Sequence, residues 1–228
     1  MWIELNDVRR TYGEGPGRVE ALKGITASLE AGSLTAIVGP SGSGKSTLLN
    51  LLGALDTPSS GRVMLAGHDL GTLDDDARTK LRREKIGFVF QFFNLLPPLS
   101  ARENVMLPAK LAGLGEKDVG ARADELLARV GLKDRARHRP DQLSGGEMQR
   151  VAISRALIMD PPVLLADEPT GNLDSRTGSE VMSLLRGAVA QKRTVILVTH
   201  DPRIARVADR VLTIDDGKLA KDERQAAA

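Results

Sequence analysis

Gly39-Pro40-Ser41-Gly42-Ser43-Gly44-Lys45-Ser46-Thr47 is the stretch on which the reading of this chain turns. It follows an uninterrupted apolar run, residues 34–38, and leads into a helix-forming stretch, residues 45–55. Glycines at this spacing let successive backbone N–H groups curl around an anion, and the next helix adds the positive end of its dipole. The pattern is that of a phosphate-binding P-loop between strand and helix. A chance match in a chain of ordinary composition comes out below about one in a hundred. Gly39, Ser41, Gly42, Ser43, Gly44, Lys45, Ser46 and Thr47 are the candidate cradle. In such a loop the lysine reaches the β- and γ-phosphates and the first hydroxyl, Ser46, coordinates Mg²⁺.

Outward from the loop, short β-type runs alternate with helical stretches. Strands are expected at residues 3–8, 34–38, 62–65, 86–90, 163–166, 195–199 and 210–214. The runs at 34, 163 and 195 are continuously apolar, which suits strands of a parallel sheet covered on both faces. Helices are expected at 45–55, 73–83, 118–130, 145–159 and 176–189, with Thr72 as cap of the second and Asp75 as its first-turn acid. Residues 92–160 read as a helical lobe inserted into an α/β core of about 1–91 and 161–220. The tail 221–228 is charged, then all alanine, and is expected to fray.

Composition narrows the function classes. Among 228 residues, 32 basic and 30 acidic side chains leave a net charge of +2, too even for a nucleic-acid-binding field. The clusters Arg82, Arg83, Lys85 and Arg135, Arg137, Arg139 read as solvated faces. Cysteine is absent, which excludes thiol catalysis and thiolate zinc sites. No apolar run approaches the roughly 20 residues of a membrane span. The N-terminus lacks the basic-then-apolar layout of a signal peptide.

Two acids, Asp167 and Glu168, end the buried run at 163. Alternation sends them in different directions, so Asp167 suits a Mg²⁺ shell through a water and Glu168 suits a general base. His200 ends the run at 195, on the strand edge where ligands of open α/β sheets bind. Leu143-Ser144-Gly145-Gly146-Glu147 opens a helix. Its S-x-x-E box has a structural reading, while two glycines at a helix start suit close approach to an anion. Local physics weighs these equally.

The P-loop, Gln91, LSGGE at 143–147, LLADE at 164–168, Asp174 and His200 stand in the order found in ABC ATPase cassettes, and the chain resembles that family over nearly its whole length. The resemblance implies a P-loop NTPase core with a mostly parallel sheet, an N-terminal antiparallel β portion and an inserted α-helical lobe. It implies ATP and Mg²⁺ as ligands, and a head-to-tail dimer. In that dimer Ser144, Gly145 and Gly146 of one copy cover ATP held by Lys45 of the other. Gln91 would join the Mg²⁺ site to the lobe, and Asp174 would couple the two sites. Tyr12, the only tyrosine, lies where the family places an adenine-stacking aromatic, a role favoured over that of a half-buried strand tyrosine.

All four phenylalanines, Phe88, Phe90, Phe92 and Phe93, flank Gln91. The first two suit the core. Phe92 and Phe93 with residues 94–98 suit a surface that docks an integral membrane permease. Pro169-Thr170-Gly171-Asn172-Leu173-Asp174-Ser175, Gln91 to Pro97 and His138-Arg139-Pro140 look like the lipoprotein-release and macrolide-efflux (LolD/MacB) group, from which Met148 departs. That likeness implies a peripheral subunit on the cytoplasmic face of the bacterial inner membrane, powering export or mechanotransmission. A regulatory ATPase that signals through a membrane partner without moving cargo would carry the same residues. The long coiled coils of DNA-repair relatives and the second cassette of translation factors are missing, and no nucleic-acid partner is expected.

Overall fold

The computed structural model describes residues 3–225. In chain order the elements are β1 (Ile3–Tyr12), β2 (Val19–Leu29), β3 (Leu34–Val38), α1 (Lys45–Leu52), β4 (Ser60–Leu65), β5 (His68–Asp69), α2 (Asp75–Lys85) and β6 (Ile86–Val89). There follow α3 (Ala101–Leu111), α4 (Glu116–Arg129), α5 (Gly145–Leu157), β7 (Val163–Asp167), α6 (Ser175–Ala190), β8 (Thr194–Val198), α7 (Pro202–Ala205), β9 (Arg210–Asp215) and β10 (Lys218–Arg224).

Two sheets form. An antiparallel sheet of order β2-β1-β4-β5 contains the N-terminal strands. A six-stranded sheet runs β10-β9-β3-β8-β7-β6, parallel from β9 to β6, with β10 antiparallel at one edge. The continuously apolar strands are covered on both faces. Ile37, Val163, Leu165, Ile196 and Val198 join one core with β1, β2 and α1. Their neighbours Ala36, Leu164, Ala166, Val195 and Leu197 join a second core with α6 and α5. Each fully buried aliphatic side chain contributes about 1.5–3 kcal/mol, and successive residues contribute to opposite faces.

A third apolar cluster unites α3, α4 and α5 through Val105, Met106, Ala123, Leu127 and Val151. No strand occurs between residues 90 and 162. The loop before α3 is clamped by Asn104, fully buried, whose amide donates to the Leu96, Leu99 and Ser100 carbonyls and whose oxygen accepts from the Leu96 amide.

Three expectations need correction. Asp74, not Thr72, caps α2 by accepting from the Ala77 amide; the Thr72 hydroxyl donates to the Asp69 carbonyl instead. The tail does not fray at Lys221: residues 218–224 pair with β9, and Asp222 and Arg224 form ion pairs with Arg210 and Glu30. The alanines 226–228 lie outside the described residues. Phe88 and Phe90 are only half-buried and stack on each other at 5.5 Å; Phe88 packs against the first core, while Phe90 joins none of the three apolar clusters among the described residues.

Candidate functional site

The C-terminal ends of four adjacent parallel strands bring the candidate residues to one edge. The P-loop leaves β3, Asp167 and Glu168 end β7, Thr199 and His200 follow β8, and Gln91 follows β6. The loop can turn so sharply because Gly39 has no side chain: at φ 153°, a Cβ there would lie 2.0 Å from the Ile214 carbonyl oxygen. Gly44 caps α1 in the left-handed region, φ 103°, with no side-chain cap.

The loop is rich in unsatisfied donors. Among the described residues nothing accepts from the amides of Gly44, Lys45, Ser46 or Thr47. The Ser43 hydroxyl is buried and without a partner. Lys45 is buried, and its ammonium donates to the carbonyls of Gly39 at 2.9 Å and Pro40 at 2.7 Å. Buried donors without acceptors cost about 1–3 kcal/mol each, so the arrangement fits an anion carrying several oxygens. Gly42, Gly44, Lys45, Ser46 and Thr47 line a cavity of about 510 Å³. Ser41 is exposed at the loop tip.

Burial pushes the Asp167 carboxyl above the ordinary carboxylate range; the Glu168 charge adds to this and the Lys45 ammonium opposes it. A cation beside it would favour the charged carboxylate, so the residue suits the surroundings of a Mg²⁺ ion. Glu168 is held in the left-handed region, φ 44°, rare for a residue with a side chain. Its amide donates to the Val198 carbonyl at 3.0 Å and its carbonyl accepts from Gly171. Its Oε1 lies 2.8 Å from His200 Nδ1, with the glutamate side chain 16% exposed and the histidine 72%. Gln91 stands beside them: a Cβ on Gly171 would meet Gln91 Nε2 at 3.0 Å and Glu168 Cβ at 3.5 Å. The Asn172 amide donates to the Gln91 carbonyl.

Tyr12 ends β1, paired with Val19 of β2, which lines the P-loop cavity. Its hydroxyl donates to Asp56 at 2.7 Å, Arg10 lies 4.6 Å from its ring centroid, and it remains partly exposed. Asp174 caps α6, accepting from the Arg176 and Thr177 amides and the Thr177 hydroxyl; the hydroxyl bond, chiefly, holds its carboxyl below the usual range.

Ser144, Gly145 and Gly146 open α5, and none of them lines the P-loop cavity. Ser144 and Glu147 close a reciprocal capping box, in which the Ser144 amide, chiefly, holds the Glu147 carboxyl below its usual range. Gly146 has an internal reason to be glycine: a Cβ there would lie 2.2 Å from Thr177 Cγ2 on α6. Gly145 would meet only ordinary contacts.

Two supporting residues carry no sequence signal of their own. Buried Gln149 donates to the Pro169 carbonyl at 2.6 Å. Arg155, on the same helix, donates to the Phe93 and Asn94 carbonyls, both residues having positive φ just beyond Gln91. Burial lowers the Arg155 pKa, no carboxylate among the described residues pairs with it, and it ties α5 to that loop.

Residues 22–171 match the family described as ABC transporter. Macrolide export ATP-binding/permease proteins MacB of Shigella flexneri and Escherichia coli K12 are each 53% identical over 220 residues, 96% of this chain. The chain spans about a third of the length of those relatives, 34%. The ATP-binding cassette MJ0796, solved as a dimer in a post-hydrolysis state with ADP and Pi, is 44% identical with a TM-score of 0.91, covering 99% of this chain and 100% of that one. A Clostridium perfringens protein, cbiO1 of the ABC transporter complex cbiONQ, is 33% identical with a TM-score of 0.88, covering 97% of this chain and 88% of that one. Among the described residues no helix is long and apolar enough to cross a membrane. The chain belongs to the ABC transporter family, as one of its ATP-binding cassette ATPases.

Proposed function

We propose that this cassette binds ATP at the P-loop of one copy, closes on a second copy head to tail, and hydrolyses the γ-phosphate to drive a membrane permease. The observation that carries this reading is the set of unsatisfied P-loop donors on the same sheet edge as the Glu168–His200 pair. Lys45 exchanges its own loop carbonyls for phosphate oxygens, and the amides of residues 44–47 donate to the same group. Tyr12 offers its ring to the adenine. Ser46 and Gln91 would hold Mg²⁺, with Asp167 acting through a water, and an ion held there would supply positive charge against the β- and γ-phosphates. Glu168 takes the proton of the attacking water while His200 fixes its carboxylate. The new P–O bond forms in line with the bond that breaks to release ADP, and fixed charge supplies most of the acceleration.

Ser144, Gly145 and Gly146 act on the ATP of the partner copy, with Asp174 beside them. In this reading residues 92–160 form a lobe that turns against the core of about 1–91 and 161–220, joined to it at Gln91. The permease docks beside that joint. A groove of about 400 Å³ opens there, lined by Phe88, Leu111 and Met159 together with Arg82, Arg83 and Arg155, and no carboxylate lines it. Phe92, 73% exposed, and Leu96 extend the apolar surface. In this reading the chain is a peripheral subunit on the cytoplasmic face of a bacterial inner membrane. The names of its relatives favour export over signalling without cargo.

Glu168→Gln tests the chemistry. ATP binding should persist while turnover falls about a hundredfold or more, the usual scale for loss of a general base. Near-normal hydrolysis would remove Glu168 from that role. The same variant, saturated with ATP and used to capture partners from detergent-solubilised native membranes, should recover a permease with a large extracytoplasmic domain. Recovery of soluble proteins or nucleic acid alone would overturn the transport reading.

A further inference from the structure

The turn between β9 and β10 reaches into the P-loop cavity, and none of its residues belongs to the motifs that identified the site. The Gly217 amide donates to the Ser43 carbonyl at 3.0 Å, and the Gly217 carbonyl accepts from the Lys23 amide of β2 at 2.8 Å. The Ala21 carbonyl sits between two glycines: a Cβ on Gly44 would lie 2.5 Å from it, and one on Gly217, 2.9 Å. The P-loop, β2 and this turn are therefore locked together by backbone contacts that leave no room for side chains.

Two charged side chains project from that junction. Lys23 and Asp216 both line the cavity that Lys45, Ser46 and Thr47 line, and the Lys23 ammonium donates to Asp216 Oδ1 at 2.5 Å. The lysine is the more sheltered, 27% exposed against 81% for the aspartate. The other acid on the cavity, Glu20, is paired with Arg9 at 3.5 Å. An acid at the mouth of a polyphosphate site repels its ligand unless a cation neutralises it. A lysine, with a flexible stem and three donors, can change partners where a carboxylate cannot.

We propose that Lys23 is a second phosphate-binding cation of this site, and that Asp216 holds it at the cavity until a nucleotide polyphosphate displaces the carboxylate. The inference rests on the P-loop reading given above. On nucleotide entry the ammonium passes from Asp216 to a phosphate oxygen, and the freed carboxylate turns to solvent, where it is already mostly exposed. Lys23 thus adds affinity for the polyphosphate, while Asp216 sets a threshold that a ligand with little negative charge does not overcome.

The test is a cycle of ADP dissociation constants for the unaltered chain, Lys23→Met, Asp216→Asn and the double variant. Tm without nucleotide verifies that each is folded. Lys23→Met should weaken ADP about five- to tenfold, and Asp216→Asn should tighten it about threefold by removing the competing charge. In the double variant the asparagine should recover only the loss due to repulsion by the unneutralised carboxylate, so ADP should still bind more weakly than to Asp216→Asn alone. If both single variants weaken ADP alike, the pair is a structural clamp and the inference fails. It fails equally if Lys23→Met binds ADP as tightly as the unaltered chain. Should Lys23→Met not fold, the sign of the Asp216→Asn change decides alone. No ADP binding by the unaltered chain would overturn the P-loop reading itself and this inference with it.

Discussion

Asp167 and Glu168 are neighbours with opposite burdens. Glu168 bears a backbone held at positive φ and points its carboxylate at His200. Asp167 bears a charge in a place that disfavours it, through burial first and the Glu168 charge second. A carboxyl whose folded-state pKa is raised leaves stability untouched below its unfolded pKa. It costs stability progressively as pH rises through the folded value, because the folded state then binds the extra proton. Asp167→Asn should therefore raise the Tm of the nucleotide-free chain by about 2 °C at pH 8, with the gain vanishing in acid where Asp167 is already neutral. The same variant should lose the Mg²⁺ dependence of ATP binding. Thermal scans at several pH values, with and without Mg²⁺, measure both effects; a lower Tm at pH 8 would mean that the charge is already compensated inside the chain.

The helix caps allow a comparison between two elements of the same design. Ser100–Glu103 at α3 and Ser144–Glu147 at α5 are both complete capping boxes, with matching bonds of 2.8 Å from the serine amide to the glutamate. Replacing either serine by alanine should cost about 1 kcal/mol, or 2–4 °C in Tm for a chain of this length. Only Ser144→Ala should also abolish ATP turnover; equal activity in both variants would reduce Ser144 to a cap. The pair also shows what the sequence could and could not tell. Strands covered on both faces announced themselves as apolar runs, and Asp167, Glu168 and His200 were read at their ends, while Lys45 came from the P-loop pattern. β10 was hidden because an exposed edge strand, KLAKDER, has no apolar alternation and forms through pairing with β9 and its ion pairs. α3 was hidden by Pro108 in its interior, and β2 by mixed polar composition over strongly exposed residues such as Val19. Arg155, Gln149 and Gly217 act on backbone groups far away in the chain, a kind of signal that spacing does not carry.

At the scale of the whole molecule, one chain holds the candidate site residues in two separate places. The donors of residues 44–47 and the Glu168–His200 pair share the C-terminal edge of the parallel sheet, while Ser144 opens a helix of the α3–α5 cluster and lines no part of the P-loop cavity. A head-to-tail pair would bring the P-loop of each copy to Ser144 of the other, a two-fold arrangement in which both sites are composite. Mixing two inactive variants tests this directly. Lys45→Ala destroys the cradle and leaves Ser144 intact; Ser144→Ala does the reverse. In a mixed dimer one site inherits both lesions, and the other inherits an intact cradle and an intact serine. Random pairing makes half of the dimers mixed, each with one competent site of two, so ATPase activity should return to about a quarter of the unaltered level if sites fire independently. If each site were complete within its own chain, every chain in the mixture would still carry a lesion, and no activity would return at any ratio. Titrating one variant into a fixed amount of the other would strengthen the distinction, because activity from mixed dimers rises with the added partner although that partner is itself inactive.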